Sequence, residues 1–352
     1  MTLAELWFVL VAVLWSGYFV LEGFDFGVGM LLPFLPRDER ERSAMFQSIG
    51  PVWDGNEVWL VVAGGATFAA FPTWYATMFS GFYLALLLVL VCLIVRVLSF
   101  EWRAKSTSPR WRTVWTWANT IGSFGAPLVW GVGLSVLIYG IPIDSKGDFT
   151  GGFFDLFNWY SVIGGISVVV LFAYHGATYL TIRTTGDLCE RAHRIARLLS
   201  VPAAVAVTAF LALTAHVAVD RNQRNVTVPL VLTLVGLAVL VVAAVFVKRR
   251  RSGWAFALTA LATALWVATL FASLYPRVMV SSTSFGDSLT IDNASSAHYT
   301  LVVMTVVAAI CVPVILLYQG WTYYVFRARV GGGELPSGSP PAAASGAGSH
   351  AT

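Results

Sequence analysis

Nine runs of about twenty mostly apolar residues divide this sequence, and few folds are open to a chain built that way. A hydrocarbon core about 30 Å thick is crossed by about 20 residues of α-helix. In that medium every backbone N–H and C=O must find a partner inside the protein, so such runs fold as helices. They cover approximately 5–33, 50–71, 75–100, 114–139, 158–182, 199–218, 229–247, 254–275 and 298–326. Composition agrees, with 57% hydrophobic and 11% charged residues, where soluble domains carry about 25% charged. The expected fold is an all-α integral membrane bundle of about nine transmembrane helices over residues 1–330. Residues 331–352 are Gly, Ser, Pro and Ala with almost no large apolar side chain, and are expected to form a disordered tail.

The connections carry helix breakers, namely Pro36, Pro72, Pro109, Pro142, Pro229 and Pro276, and Pro313 is read as the exception inside a run. Residues 1–36 contain no Lys or Arg. A cleavable signal peptide opens with positive charge, so the first run reads as a permanent span. Charge also orients the bundle. The loops after runs 1, 3, 5 and 7, with the C-terminal end, hold 17 of the 22 Lys and Arg residues, from Arg37 to Arg329. The opposite loops hold only Lys146, Arg221, Arg224 and Arg277, and Arg96 lies within run 3. Cytoplasmic loops carry the excess of basic residues. The N-terminus is therefore expected outside and the C-terminus in the cytoplasm. The net charge of +4 is a matter of loop distribution and points to no nucleic-acid partner.

Within this apolar background, four acids stand out. Glu22 and Asp25 lie three apart in LEGFDFGVGM, on a helix face that also carries Trp15, Tyr18 and Gly29. Asp54 and Glu57 repeat the spacing in GPVWDGNEVWLVVAGG, on a face that extends through Val61, Gly64 and Phe68. A carboxylate at the bilayer centre costs about 2.5–3.5 kcal/mol on insertion scales, so such groups are paired, protonated or next to water. Four of them on adjacent helices suit a proton path. The structural alternative is that they sit near a helix end, where water is close, or pair with Arg96. Asp25 and Asp54, each set among Gly, Phe and Trp, read as the more enclosed pair.

Other chemistry finds less support. The GVG triplets at 27–29 and 131–133 follow no strand and complete no nucleotide loop. Gly23 and Gly27 form a GxxxG, which lets helices approach closely. Cys92, Cys189 and Cys311 are far apart and suggest neither a disulfide framework nor a metal site. Only His175, His193, His216 and His298 precede the tail, and no two occupy facing mid-membrane positions that would grip a haem, which leaves a single His with Met as the other arrangement and satisfied or interfacial histidines as the preferred reading. A secondary transporter or ion channel using the same acids is the competing class, although no internal repeat is apparent.

At the acids the sequence resembles a known family. GFDFGVGML at 23–31 and GPVWDGNEVWL at 50–60 are similar to signature stretches of subunit II of the cytochrome bd quinol oxidases. GFYLALLLVLVCLIVR at 81–96, FEWR at 100–103, GSFGAPLVWGV at 122–132 and GATYLTIRTTGDL at 176–188 extend the likeness. So do YPRVMVSSTSFGDSLTIDNASS and the final run, so the resemblance covers nearly all of 1–330. It implies a subunit of a bacterial plasma-membrane oxidase that takes electrons from quinol and reduces oxygen to water. It places haems b558, b595 and d in subunit I, with this chain as a haem-free partner needed for haem assembly. It assigns Asp54 to a proton route from the cytoplasm and places Asp25 near that route. It leaves Glu22 and Glu57 as candidate neighbours that tune the site, with Arg96 as their candidate charge partner from position alone; some members have Gln at the position of Glu57. The resemblance also leaves room for a structural quinone or lipid and for small single-helix accessory subunits. The connection DRNQRNVTVP is short, so contacts made by a longer loop in some members do not carry over.

Overall fold

A computed structural model describes residues 1–331 apart from Arg224 and Val226. Arg224 of the sparse basic set, and the expected tail from 332 onward, thus lie outside the described residues. The helices are α1 (Leu3–Leu31), α2 (Glu39–Ile49), α3 (Trp53–Ala70), α4 (Pro72–Gly81), α5 (Tyr83–Trp102) and α6 (Pro109–Tyr139). They continue as α7 (Trp159–Arg183), α8 (Gly186–Asn222), α9 (Thr227–Lys248), α10 (Ser252–Leu274) and α11 (His298–Val325). Local signals start several of them. Thr2 and Glu5 close a reciprocal capping box on α1, and Asn158 caps α7.

Among the described residues, eight helices are long and apolar enough to cross a membrane: α1 and α5 through α11. The second expected run is α3, which is not one of the eight. It has 18 residues, and Asp54, Asn56 and Glu57 in its first turns lower its hydropathy. The expected count of nine therefore rests on α3.

The elements depart from the sequence reading in four places. The first connection contains α2, capped by the Asp38 carboxylate on Glu41 N and buried along Ala44, Met45, Ser48 and Ile49. The third run is split at Phe82 into α4 and α5. The sixth starts far earlier than expected, because Leu188, Ala192 and Ala196 carry a buried helical stripe beneath the charged residues. At 37 residues this helix is about 55 Å long, well beyond the hydrocarbon thickness. Finally, Pro127 and Pro202 join Pro313 inside helices.

Contacts sort the connections into two ends. At one, Glu39 pairs with Arg103 and, at 3.7 Å, with Arg112, and Glu41 pairs with Arg191. Arg183 donates to Ala328 O at 2.6 Å, and Glu190 binds Arg250 at 2.5 and 2.7 Å. At the other end Tyr275 donates to Glu5, Asn222 donates to the carbonyls of Ser273 and Leu274, and Ser296 donates to Ala69 O. A two-stranded antiparallel sheet, β1 (Arg277–Met279) with β2 (Leu289–Thr290), closes this second end. The loop after α6 joins it through Ser281 Oγ, which donates to Ile143 O. The loops expected to be rich in Arg therefore meet at a single end.

The core is packed by helix crossings at glycine. A Cβ on Gly27 would lie 1.9 Å from Phe172 O and 2.7 Å from Gly176 N, so α1 and α7 meet backbone to backbone. The GxxxG of α1 is a packing element. In the same way a Cβ on Gly122 would meet Cys92 O at 2.4 Å, which seats α6 close against α5 just where Arg96 stands.

Candidate functional site: a buried carboxylate cluster

Glu22, Asp25 and Arg96 are completely buried. Glu22 lies nine residues before the end of α1, about 14 Å of rise from the arginine-rich end. Arg96 lies six residues before the end of α5. Its Nη1 donates to Glu22 Oε1 and approaches Glu57 Oε2 at 3.7 Å. The guanidinium lies over the Phe26 ring, 4.8 Å from its centroid, where the ring face favours a cation. Ser99 donates to Arg96 O, and Asn119 Nδ2 of α6 donates to Ser99 Oγ at 2.8 Å, which steadies this turn of α5.

Asp25 belongs to a second branch. Its Oδ2 accepts from Asn56 Nδ2 at 2.7 Å, and the same amide nitrogen reaches Leu21 O at 3.2 Å. Asn56 Oδ1 accepts from Tyr323 Oη at 2.6 Å and Gln319 Nε2 at 3.2 Å, both on α11. Asn56 is thus the junction of α1, α3 and α11. The sequence reading passed over it because an amide carries no charge, although it stands between Asp54 and Glu57 in the motif. Gln319 and Tyr323 had one available signal: they are four apart on the last helix, so they share a face.

The cluster is rich in unsatisfied polar atoms. Among the described residues, Tyr18 Oη, Glu22 Oε2, Asp25 Oδ1, Glu57 Oε2, and Arg96 Nε and Nη2 have no hydrogen-bond partner. More than about 90% of buried polar groups in proteins are satisfied, so six such atoms gathered in one place need a reason.

Asp54 does not join this cluster. It is exposed on the first turn of α3 and makes no side-chain hydrogen bond or ion pair among the described residues. The face expected to run from Asp54 through Val61, Gly64 and Phe68 is the outward one, with Val61 73% and Phe68 56% exposed. The inward face is Asn56, Ala63, Thr67 and Ala70. Two positions on a helix are about 200° apart, so burying Asn56 turns Asp54 away. Glu57, one position on from Asn56, is intermediate at 23% exposed. The enclosed pair is therefore Glu22 and Asp25, both on α1, and not Asp25 with Asp54.

His175 is also fully buried but is committed within the chain. Its Nδ1 bonds Thr259 Oγ1 at 2.7 Å and its Nε2 bonds Val20 O at 3.1 Å. The ring stacks on Phe256 with centroids 4.8 Å apart. His193 bonds Cys189 O and Ser252 Oγ. No cluster of three metal-ligating side chains occurs among the described residues.

Comparison with known proteins gives this geometry its family. The family model for cytochrome bd terminal oxidase subunit II matches residues 3–326. A cytochrome bd ubiquinol oxidase subunit 2 from Bacillus subtilis is 45% identical over 330 residues, covering 94% of this chain and 97% of the relative. The cytochrome bd-I ubiquinol oxidase subunit 2 of Escherichia coli K12 is 36% identical, covering 92% and 94%. A chain in the structure of bd oxidase from Geobacillus thermodenitrificans shares the fold, with TM-score 0.69 at 17% identity over 92% of this chain and 97% of that one. With the family model spanning nearly the whole helical bundle, the chain belongs to the cytochrome bd terminal oxidase subunit II family.

Proposed function

We propose that this chain is the haem-free subunit of a quinol:oxygen oxidoreductase in the bacterial plasma membrane, and that it carries cytoplasmic protons toward the site of oxygen reduction. Family membership makes it one subunit of a terminal oxidase complex with a partner subunit I. The relatives named as ubiquinol oxidases support quinol as the electron source. Haems b558, b595 and d then belong to the partner. His175, which is fully buried, spends both ring nitrogens on Thr259 and Val20, and this supports the haem-free reading.

The observation that carries the proton reading is the imbalance around Arg96. One guanidinium faces Glu22, Glu57 and, one turn on, Asp25, with carboxyl oxygens left free. Three carboxylates beside one cation leave acidic groups in excess of counter-charge inside an apolar bundle, the kind of arrangement that marks a proton relay. Asp54 serves as the entry at the surface, Glu57 as the half-exposed step, and Glu22 and Asp25 as the buried carriers. Arg96 holds the carriers in place. The orientation follows from the basic end: cytoplasmic, with the N-terminus outside and nine spans including α3. Drawing protons from one side makes oxygen reduction electrogenic without a pump.

Asp25→Asn in the assembled complex tests this. The amide keeps an acceptor for Asn56, so the complex and its haem absorbance should persist. Oxygen consumption should fall by about a hundredfold, the low end of what a positioned proton carrier contributes. Asp54→Asn should slow turnover less, because neighbouring water can deliver protons to Glu57. Full turnover in both variants with the haem spectrum intact removes the proton role; loss of the haems would make the cluster structural.

A further inference from the structure

Helices α8 and α9 are antiparallel neighbours on the surface of the bundle, and a groove of about 450 Å³ lies between them. Small side chains at Ala204 and Ala244 open it, and Leu240 and Val241 give it an apolar wall. Arg197 and Lys248 stand at one end, the end where the arginine-rich loops meet. Both are exposed, and neither side chain has a hydrogen-bond or ion-pair partner among the described residues. Arg250, two residues beyond Lys248, is by contrast held by Glu190. Each of the two helices is long and apolar enough to cross a membrane, so the groove opens onto lipid. From Arg197 to Val205 the groove follows nine residues of α8, about 12 Å of rise, enough for much of an acyl chain.

We propose that this groove holds one anionic phospholipid, its phosphate between Arg197 and Lys248 and an acyl chain along Ala204, Val241 and Ala244. Charge complementarity selects the occupant. A zwitterionic lipid or a quinone offers the same apolar chain but no net negative charge to two unpaired cations. Basic pockets between transmembrane helices on the cytoplasmic side hold acidic head groups for this reason. The site goes beyond the proton reading and does not depend on it, since the acids lie on α1 and α3.

The test uses the assembled complex in nanodiscs of phosphatidylcholine doped with phosphatidylglycerol, with bound lipid counted by native mass spectrometry. Phosphatidylglycerol should be retained in preference to phosphatidylcholine. Arg197→Gln with Lys248→Gln should cut that retention about 25-fold, about fivefold for each cation removed, and leave turnover unchanged. Ala204→Phe with Ala244→Phe, which fills the groove and keeps the cations, should also expel the lipid. Unchanged phosphatidylglycerol retention in either double variant overturns the proposal. So does equal retention of the two lipids by the unaltered complex, or recovery of a quinone displaced by the groove-filling pair.

Discussion

Two buried polar sites lie within a turn of each other on α1, and they are finished to different degrees. At Val20 the backbone carbonyl receives His175, whose other nitrogen meets Thr259, while Thr178 joins Thr259 at 3.0 Å. Every polar side-chain atom in that group has a partner, and Phe256 covers the ring. Two residues on, Glu22 meets Arg96 but leaves Oε2 free, and the guanidinium leaves Nε and Nη2 free. The first site has spent its hydrogen-bonding capacity on holding α1, α7 and α10 together. The second keeps capacity in reserve, at a cost in stability that packing alone would remove. Burial by itself does not separate the two sites; unspent polar capacity does.

The comparison breaks most sharply at Arg96. Arg96→Leu leaves Glu22 buried with no counter-charge, which costs about 3–5 kcal/mol. The assembled complex should fail to accumulate in membranes, as read by immunoblot and haem absorbance. Adding Glu22→Leu should restore accumulation, because an apolar pair of similar volume replaces a buried ion pair without penalty. The restored complex should remain slow in oxygen reduction. If the double variant turns over normally, the second site is as structural as the first and the distinction fails.

His175 probes the other side. His175→Phe removes two hydrogen bonds and leaves the Val20 carbonyl and the Thr259 hydroxyl to be satisfied otherwise, about 1–3 kcal/mol each at most. The melting temperature of the complex should drop while turnover per assembled complex stays unchanged. A loss of turnover in a complex of normal stability would move His175 into the working machinery.

These sites were unequally legible in the sequence. Glu22, Asp25, Glu57 and Arg96 stand out because a charge in an apolar run is rare and costly. Which acid faces inward was hidden, because it depends on the rotation of α3 about its axis. That rotation is set by Asn56, Ala63, Thr67 and Ala70 packing inward, and the outward side is just as apolar at Val61 and Phe68. When both faces of a helix are apolar, hydrophobic periodicity gives no direction. The same limit explains α8, whose charged stretch reads as a loop unless Leu188, Ala192 and Ala196 are taken as a stripe. Long apolar runs carried the class of fold, since lipid allows them one backbone solution. The α2 helix, by contrast, is held by tertiary contacts such as Arg103 to Glu39 and Arg191 to Glu41, which no local pattern displays.

The finest distinction lies in the α11 branch of the cluster, where Tyr323 and Gln319 both donate to Asn56 Oδ1. That oxygen can accept two hydrogen bonds, so either donor alone leaves it satisfied. Tyr323→Phe removes the shorter bond and should lower stability by only about 0.5–1.5 kcal/mol. Gln319→Leu, acting on the longer contact, should cost less. Together they strand the Asn56 carbonyl, and the loss should exceed the sum of the two, because groups sharing one acceptor are coupled. Asn56 is then free to turn its amide, and the hydrogen bond that fixes Asp25 weakens with it. If Asp25 is a proton carrier, the double variant should slow oxygen reduction measurably while each single variant hardly does. Additive losses with unchanged turnover would make α11 a passive cover over the cluster, and would confine the working part to α1, α3 and α5.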